Sequence, residues 1–418
     1  MELKNIFLEL ILFTIAILPT NADNLPLEDI LKGQMTENSE LTAKWIEPPL
    51  IHHKHIYLFN VTNPNDIVQG DKPILQEIGP YVFSVHSKKV NVSFNNDEGT
   101  VSYDLVKWYK YLPQLSNGTL DDQVTVLNVP FMGLAIKSEG TLSFMQQMML
   151  KNLIRNFRVS PFVTKTVDEM LYKGYRDPFM VMIGQIKGQE VLPKGTFGFF
   201  HGQNYTSEGS YTVHTGVKDS SKFLKINRYN NMTELPYYNG EKCNKIEGSI
   251  DRFGLIFGVN ISKDDLIHVY TPELCRSLPF KFLQEEGTSS FKYVLPEAVS
   301  ASANVEPDNS CFCPTEDRCL KAGVFSTEQC NPNSPRIWSY PHFYLADDSY
   351  YDAVVGLNRD EDLHESYIDV NRVYGYETAF RKRLQMNIAV KPVSHIQFFN
   401  NFPEMIFPLM WFDEKNIL

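Results

Sequence analysis

Apolar and polar residues alternate over many stretches of this chain. The clearest stretches place apolar side chains at every second position: Tyr81, Phe83 and Val85; Val101, Tyr103 and Leu105; Leu384, Met386, Ile388 and Val390. A period of two is typical of a β-strand with one buried and one solvent-facing side. Because such stretches run from about residue 55 to about residue 400, the sequence predicts a mainly β fold with inserted helices, arranged as one long antiparallel assembly.

The segment from Thr141 to Tyr172 has a helical period instead. Its apolar stripe, together with Met148, is expected to face the core: Leu142, Met145, Met149 and Leu153. Pro161 ends this helix, and a second helix is predicted from Val163 to Leu171.

Charge sets the first of these helices apart from the rest of the chain. Lys151, Arg155 and Arg158 are spaced so that they share the face opposite the apolar stripe. The whole chain has 39 Lys and Arg against 50 Asp and Glu, a net charge of −11. From the residues alone, the cationic face is either a solvated surface or a binding site for an anionic partner.

Composition excludes several classes of protein. The chain has 418 residues, of which 43% are hydrophobic and 13% aromatic. This is enough apolar mass for a large core, and it excludes a disordered or collagen-like protein. The acidic balance excludes a nucleic-acid-binding protein, because its charge would repel phosphates.

The ends of the sequence indicate the compartment. Apolar residues from Ile6 to Leu18 precede small residues at Thr20 and Ala22, which is the pattern of a secretory signal. Residues 1–22 are therefore predicted to be a signal peptide or a short N-terminal membrane anchor. Residues 23–412 are expected to form one ectodomain, and residues 413–418 a tail.

Six Asn-x-Ser/Thr sequons agree with export and are predicted glycosylation sites: Asn60, Asn91, Asn117, Asn204, Asn231 and Asn260. Asn91 lies in an alternating stretch, on the face opposite Val90, Val92 and Phe94. A glycan at Asn91 is expected to project from that polar face.

Six cysteines fall in the C-terminal half of the chain: Cys243, Cys275, Cys311, Cys313, Cys319 and Cys330. An even number in an exported chain predicts disulfides, for which the residues alone leave 15 pairings open. A zinc site is the alternative, although the spacing lacks a CxxC pair. Several prolines interrupt the same region, so residues 243–330 are predicted to be a loop-rich region held by disulfides.

The sequence contains little evidence of a catalytic or metal-binding site. The nucleophile elbow, the P-loop, the dinucleotide fingerprint, HExxH and the EF-hand pattern are absent. His53 and His55 share a strand face but have no evident third metal ligand. The acidic run Asp360-Glu361-Asp362, with His364 and Glu365 after it, is interpreted as a solvated turn. No cofactor or metal is expected, and a secreted hydrolase using Asp360 or Glu365 is the least favoured hypothesis.

Several short stretches resemble the class B scavenger receptor family, and together they cover the chain from about Leu41 to about Phe412. They are Glu77-Ile78-Gly79-Pro80-Tyr81-Val82-Phe83, Gly174-Tyr175-Arg176-Asp177-Pro178-Phe179, Cys275-Arg276-Ser277-Leu278, Cys311-Phe312-Cys313, Leu295-Pro296, Pro341-His342-Phe343, Gly356-Leu357-Asn358 and Arg383-Leu384-Gln385-Met386-Asn387.

The resemblance implies an irregular antiparallel β-barrel ectodomain with an apical helical bundle at residues 141–172 and an internal apolar tunnel. It further implies that the ligand-binding residues are Lys151, Arg155, Arg158 and Lys165. The implied disulfides are Cys243–Cys311, Cys275–Cys330 and Cys313–Cys319. The resemblance also implies a membrane span at each end, whereas the N-terminal apolar stretch here is short and carries Glu9, and no second span is visible in the sequence. The segment Ile250–Ile256 departs from the family pattern as well, because it lacks the usual prolines.

These observations support the hypothesis of a non-enzymatic receptor and transporter for lipids, lipoproteins or anionic lipid particles. The alternative is a receptor that carries or adheres to a lumenal or extracellular protein through the apical helices. The expected location is the plasma membrane or an endo-lysosomal membrane, with the ectodomain outside the cell or in the lumen. The protein would be secreted if the N-terminal segment is cleaved.

Overall fold

The computed structural model describes residues 27–48, 51–249, 257–258, 260–315, 318–332 and 336–416. The predicted signal or anchor at residues 1–22 and the departing segment at 250–256 lie outside the described residues. Strands dominate the described part of the chain, with short helices between them. The prediction of a mainly β protein with inserted helices is confirmed.

The strands are β1 (His52–Val61), β2 (Leu75–Asn95), β3 (Thr100–Tyr111), β4 (Gln123–Leu127), β5 (Phe162–Thr166), β6 (Tyr175–Arg176), β7 (Thr196–Phe197), β8 (Thr206–His214), β9 (Ile226–Tyr229), β10 (Ile267–Thr271), β11 (Arg276–Glu286), β12 (Ser290–Val294), β13 (Val324–Ser326), β14 (Ile337–Ser339), β15 (Tyr367–Asn371), β16 (Glu377–Val390) and β17 (Met405–Asn416). The α-helices are α1 (Leu27–Lys32), α2 (Glu40–Ile46), α3 (Pro64–Gln69), α4 (Val129–Ser138), α5 (Phe144–Asn156), α6 (Val167–Met170), α7 (Pro178–Lys187), α8 (Glu241–Asn244), α9 (Asp348–Asp352) and α10 (Glu361–His364).

One large antiparallel sheet organises the molecule. Its strands lie in the order β10-β11-β12-β15-β16-β17-β1-β2-β3-β8-β9, and β13 and β14 attach beside β16. The last described residues are part of this sheet, because Lys415 in β17 pairs with both His53 and Arg381. The prediction of a tail at 413–418 is therefore wrong for residues 413–416, and Glu414 is only 2% exposed.

The sheet is not a closed barrel, which corrects that part of the fold prediction. In the described residues, the edge strands β9 and β10 form no ladder with each other. The segment Gly248–Ser249 lies between them: the Gly248 carbonyl accepts from the Ile226 amide, and the Ser249 amide donates to the His268 carbonyl. A Cβ on Gly248 would lie 1.8 Å from the His268 carbonyl oxygen, so this bridging position requires glycine.

The alternating pattern holds in β3, where Val101, Tyr103 and Leu105 are buried and the residues between them are partly exposed. The prediction of a solvent-facing side is wrong for the centres of two other strands, where residues 81–85 of β2 and 383–388 of β16 are buried without interruption. Polar side chains there face other protein groups, as when the side-chain oxygen Oε1 of Gln385 accepts from the His342 backbone amide at 2.7 Å.

Only the first of the two helices predicted between residues 141 and 172 is present. Ser143 begins α5 with a capping box, in which its hydroxyl and the Gln146 side chain each bond the other residue's amide. The helix predicted from Val163 to Leu171 is wrong. Its first part is β5, which pairs with β4, and its second part is the single turn α6. β-Branched Val163, Thr164 and Thr166 suit a strand once β4 supplies the partner.

The apolar stripe predicted for α5 is also incorrect. Leu150 and Ile154 are the buried residues of the helix, and Leu142 and Leu153 pack partly buried against the same core. Met145 and Met149 face solvent, with exposures of 81% and 46%. The core lies about a third of a turn away from the predicted stripe.

Three disulfides are present, and they are the three that the family resemblance implies: Cys243–Cys311, Cys275–Cys330 and Cys313–Cys319. No cysteine among the described residues is free. The disulfide interpretation of region 243–330 is confirmed over the zinc alternative, because all six thiols are consumed.

Candidate functional site

The predicted ligand-binding cations lie on and after α5. Lys151 and Arg155 are exposed on the helix, and Arg158 is exposed two residues beyond its end. Arg158 has a left-handed backbone, with φ of 51°. Within the described part of the chain, none of the three forms an ion pair with a carboxylate. Their positive charge is therefore available to a partner.

Lys165 lies on a different element. It is half-buried on β5, in register with Val124 of β4. Its Nζ lies 4.6 Å from the centre of the Tyr175 ring, in a cation–π contact. Lys165 therefore already has an aromatic partner, whereas the other three cations face water.

An exposed apolar ridge accompanies the cations on α5, and the sequence prediction missed it. We call these four residues the α5 ridge: Phe144, Met145, Met148 and Met149, with exposures of 77%, 81%, 44% and 46%. A surface this rich in large apolar side chains marks an interaction site more often than a free surface. A helical wheel centred on Leu150 and Ile154 puts the methionines outside, but the local pattern does not choose between that wheel and the predicted stripe.

Aromatic contacts hold α5 in place. Phe157, the residue that ends α5, has its ring centre 6.1 Å from that of Phe179 in α7. Phe179 in turn contacts Phe131 of α4 edge to face at 5.8 Å. The helix is therefore fixed at its C-terminal end, while the ridge at its N-terminal end is presented to solvent.

His395 reaches this region from the far end of the sequence. Its Nε2 lies 2.8 Å from the Ser138 hydroxyl at the end of α4. Burial lowers the pKa of His395, and Lys151 lowers it further while Glu139 raises it. No histidine lies between residues 141 and 178, so the sequence offered no sign of a titratable group here.

The interior contains an apolar cavity of about 70 Å³ between β10, β11, β15 and β16. Its apolar lining includes Val269, Leu278, Phe280, Ile368, Phe380 and Leu384. The cavity has about half the volume of an engineered apolar cavity of about 150 Å³ that binds benzene, so it is too small for an acyl chain. The continuous tunnel implied by the family resemblance stays a prediction.

A polar cluster that joins the partly exposed Glu77 to the buried His342, His364 and Trp411 was not foreseen. Glu77 of β2 accepts hydrogen bonds on Oε2 from the Trp411 indole at 2.6 Å and pairs with His342 Nε2 at 2.7 Å. His342 stacks on His364 with ring centres 4.5 Å apart. The Asn358 amide donates to His342 Nδ1, which assigns the proton of that ring to Nε2.

Burial and hydrogen bonding shift the pKa values of this cluster in opposite ways. Burial alone would raise the pKa of Glu77, but the hydrogen bonds from His342 and Trp411 outweigh it, and the pKa is lowered. Burial, followed by the electrostatic interaction with His342, lowers the pKa of His364 from 6.5 to about 4. The sequence interpretation of His364 as part of a solvated turn is wrong, because its side chain is 3% exposed.

We expect His364 to make the fold less stable in acid. Its pKa is lower in the folded protein than in the unfolded chain, so its contribution is complete above pH 6.5 and is lost as the pH falls toward 4. Between about pH 7 and about pH 5, the wild type should lose about 1–2 kcal/mol more free energy of unfolding than His364→Phe. Urea unfolding at both pH values measures this, and equal losses in the two proteins would contradict it.

The remaining candidate residues have structural surroundings. Asp360 caps α10 by accepting from the Leu363 amide, which weakens the case for a hydrolase. Burial, and then the nearby Lys415, lowers the pKa of His55 to about 4. Among the described residues, no group of three or more His, Cys, Asp or Glu side chains is arranged to hold a metal ion.

The predicted sequons lie at the surface. Five of their asparagines are exposed: Asn91, Asn117, Asn204, Asn231 and Asn260. Asn60 is half-buried in β1, and its side-chain oxygen accepts from the Thr125 amide at 2.9 Å. Asn60 is consequently the least accessible of the six predicted glycosylation sites, and glycosylation stays a prediction at all of them.

No helix within the described ranges is long and apolar enough to cross a bilayer.

Comparison with known proteins gives a consistent result. Residues 6–418 match the CD36 family. The chain is 30% identical to scavenger receptor class B member 1 of Rattus norvegicus over 395 residues, covering 94% of this chain and 76% of that protein. It is 32% identical to lysosome membrane protein 2 of Homo sapiens over 385 residues, covering 91% of this chain and 78% of that protein. These similarities confirm the class B scavenger receptor resemblance. Because the family match spans nearly the whole sequence and the relatives are covered over more than three quarters of their length, the chain is a member of the CD36 family.

Proposed function

We propose that this protein is a receptor that captures lipoproteins or anionic lipid particles on α5 and takes up their lipid into its apolar interior. It acts at the plasma membrane or an endo-lysosomal membrane, with the described residues on the extracellular or lumenal side. The observation that carries the proposal is the α5 surface, where Lys151 and Arg155 stand beside the exposed α5 ridge.

The α5 surface has the two properties that binding to a lipid monolayer needs. Cations near an anionic surface contribute about 1 kcal/mol each. Methionine and phenylalanine side chains gain free energy when they leave water for the acyl region, and methionine adapts to an irregular surface. Arg158, which is exposed two residues after the end of the helix, adds a third cation. Lys165 is a weaker contributor in this proposal, because Tyr175 already holds it.

Lipid transfer itself is a partition process, and no bond is broken. Burial gains about 0.8 kcal/mol per methylene, so a sixteen-carbon chain gains on the order of 10 kcal/mol before ordering is counted. The cavity beside β16, whose wall includes Phe280 and Phe380, is the part of the interior that supports this step, and its wall must open for an acyl chain to enter.

Vesicle flotation tests the capture step. We expect the purified protein to float with vesicles of phosphatidylcholine and phosphatidylserine and to stay behind with phosphatidylcholine alone. High salt should weaken the binding, since exposed charges are screened. Mass spectrometry of lipid extracted from the same natively purified protein tests uptake. Equal binding to both kinds of vesicle would contradict the capture proposal.

The second candidate, a receptor for a lumenal or extracellular protein, is favoured by one observation. His395 lies close enough to Lys151 for their charges to interact, so protonation in acid would add positive charge near the α5 surface. A pull-down of lumenal proteins at neutral and acidic pH separates the candidates. A protein captured at neutral pH and released in acid, with no preference between the two vesicle types, would favour this function over lipid capture.

A further inference from the structure

Three aromatic rings form a row across the solvent-facing side of the sheet, remote in sequence from α5. His86 of β2 and Trp108 of β3 are direct partners in the ladder, and their rings are parallel to within 7° at 5.4 Å. Tyr205, which precedes β8, continues the row at 5.8 Å from Trp108 and parallel to within 6°. The Tyr205 side chain is 70% exposed. The row therefore ends in a Tyr205 ring that is mostly open to solvent.

The backbone of Tyr205 is strained in a way that holds this ring in the row. Its φ is 58°, in the left-handed region that a bulky residue rarely adopts. Its amide donates to the Lys107 carbonyl at 2.8 Å, so the strained residue is tied to the strand that carries Trp108. Such strain points to a function when it is accompanied by an organised site.

A sequon adjoins the row. Asn204 directly precedes Tyr205, and its side-chain oxygen accepts a hydrogen bond from the Tyr109 amide at 3.0 Å. The Asn204 amide is thereby fixed one residue from Trp108 along β3 and one residue from Tyr205 along its own chain. The atom that would carry a glycan, Nδ2, is not the atom used in this bond.

We propose that Trp108 and Tyr205 form a platform on which the first two N-acetylglucosamine units of a glycan at Asn204 pack. The apolar C–H face of a pyranose complements the face of an aromatic ring, and aromatic side chains combine apolar area with rigidity. The anchored amide removes one rotatable connection, so less freedom is lost when the sugar packs. This inference is independent of the proposed lipid function.

Other sequons of the chain provide controls. Asn117 and Asn231 are exposed like Asn204. Neither of them has His86, Trp108 or Tyr205 as a neighbour in the sequence. Leu115 offers a matched substitution, because it is a large exposed apolar residue two positions before Asn117, with an exposure of 47%.

Endoglycosidase H, which cuts between the first two N-acetylglucosamine units, tests the proposal on the wild type. The protein is produced with a mannosidase inhibitor so that its glycans stay high-mannose, and cleavage is followed site by site with glycopeptide mass spectrometry. In the folded protein, Asn204 should be cleaved roughly fivefold to tenfold more slowly than Asn117 and Asn231. After denaturation, the three rates should become equal. Similar rates in the folded protein, or an unmodified Asn204, would overturn the proposal.

Tyr205→Ser separates the platform from general crowding, since it keeps the sequon and changes a side chain that is mostly in water. Cleavage at Asn204 should then rise to the rate at Asn117 in the folded variant. Leu115→Ser should leave the rate at Asn204 unchanged. Persistent protection of Asn204 in Tyr205→Ser would show that the ring does not hold the sugar, and it would overturn the proposal without touching the vesicle-binding result.

Discussion

Reversing the charge of Lys151, Arg155 and Arg158 to Glu is expected to weaken binding to phosphatidylserine-containing vesicles by roughly a hundredfold or more at physiological salt. Each cation near an anionic surface contributes about 1 kcal/mol, so the loss of three amounts to about 3 kcal/mol, and about 1.4 kcal/mol corresponds to a factor of ten. The three side chains are exposed and have no carboxylate partner within the described part of the chain, so folding should be unaffected. Vesicle titration at several salt concentrations measures the effect, and the variant should also lose most of its salt dependence.

A matched control has the same change in net charge at other exposed sites. Lys218, Lys225 and Lys281 are exposed and lie away from α5 in the sequence. Reversing these three should change vesicle affinity by much less, because only charges within about a Debye length of the surface act strongly. If both triple variants lose affinity equally, net charge governs binding, and the α5 surface is not the docking site.

Removing the Cys275–Cys330 disulfide by alanine substitution is expected to lower the free energy of unfolding by about 4 kcal/mol. This bond closes a loop with a sequence separation of 55, so its loss releases much conformational freedom in the unfolded chain. The bond also links the residue before β11 to the region after β13. Leu278, three residues after Cys275, lies in the wall of the interior cavity. Urea unfolding under non-reducing conditions measures the change.

The Cys313–Cys319 disulfide provides the comparison. Its sequence separation is only 6, and its removal should lower the free energy of unfolding by about 2 kcal/mol. The two double-alanine variants should therefore differ, with the longer loop giving the larger loss. A larger loss for Cys313–Cys319 would mean that local packing, and not loop closure, sets the contribution of these bonds.

Local pattern was a good guide to parts of the fold. The alternation in β3 predicted both the strand and its buried side, because a period of two is a property of the strand alone. The helix α5 was predicted from its helical period, which is a local property of the segment; the capping box of Ser143 and Gln146 that begins it is equally local. For the disulfides, the residues alone left the pairing open, and only the family resemblance singled out the pairs that the structure contains.

Local pattern failed where a distant segment decides the outcome. Val163 to Thr166 are strand because β4 lies beside them, and the sequence around them is compatible with a helix. His364 follows an acidic run and looks solvated, yet the ring of His342 covers it. Met145 was assigned to the core from the local apolar stripe. The side of α5 that faces inward is set instead by the helices that carry Phe131 and Phe179, which the local pattern does not reveal.

The order of hydrophobic and polar residues was thus sufficient for the β class, the position of α5 and the presence of its cations, since each depends on neighbours a few residues away. The exposure of the α5 ridge, the Glu77–His342–His364 cluster and the aromatic row ending at Tyr205 arise only when strands and helices distant in sequence are packed together. Their chemistry comes from contacts such as Glu77 with Trp411, which are 334 residues apart, and no local periodicity encodes a contact of that kind.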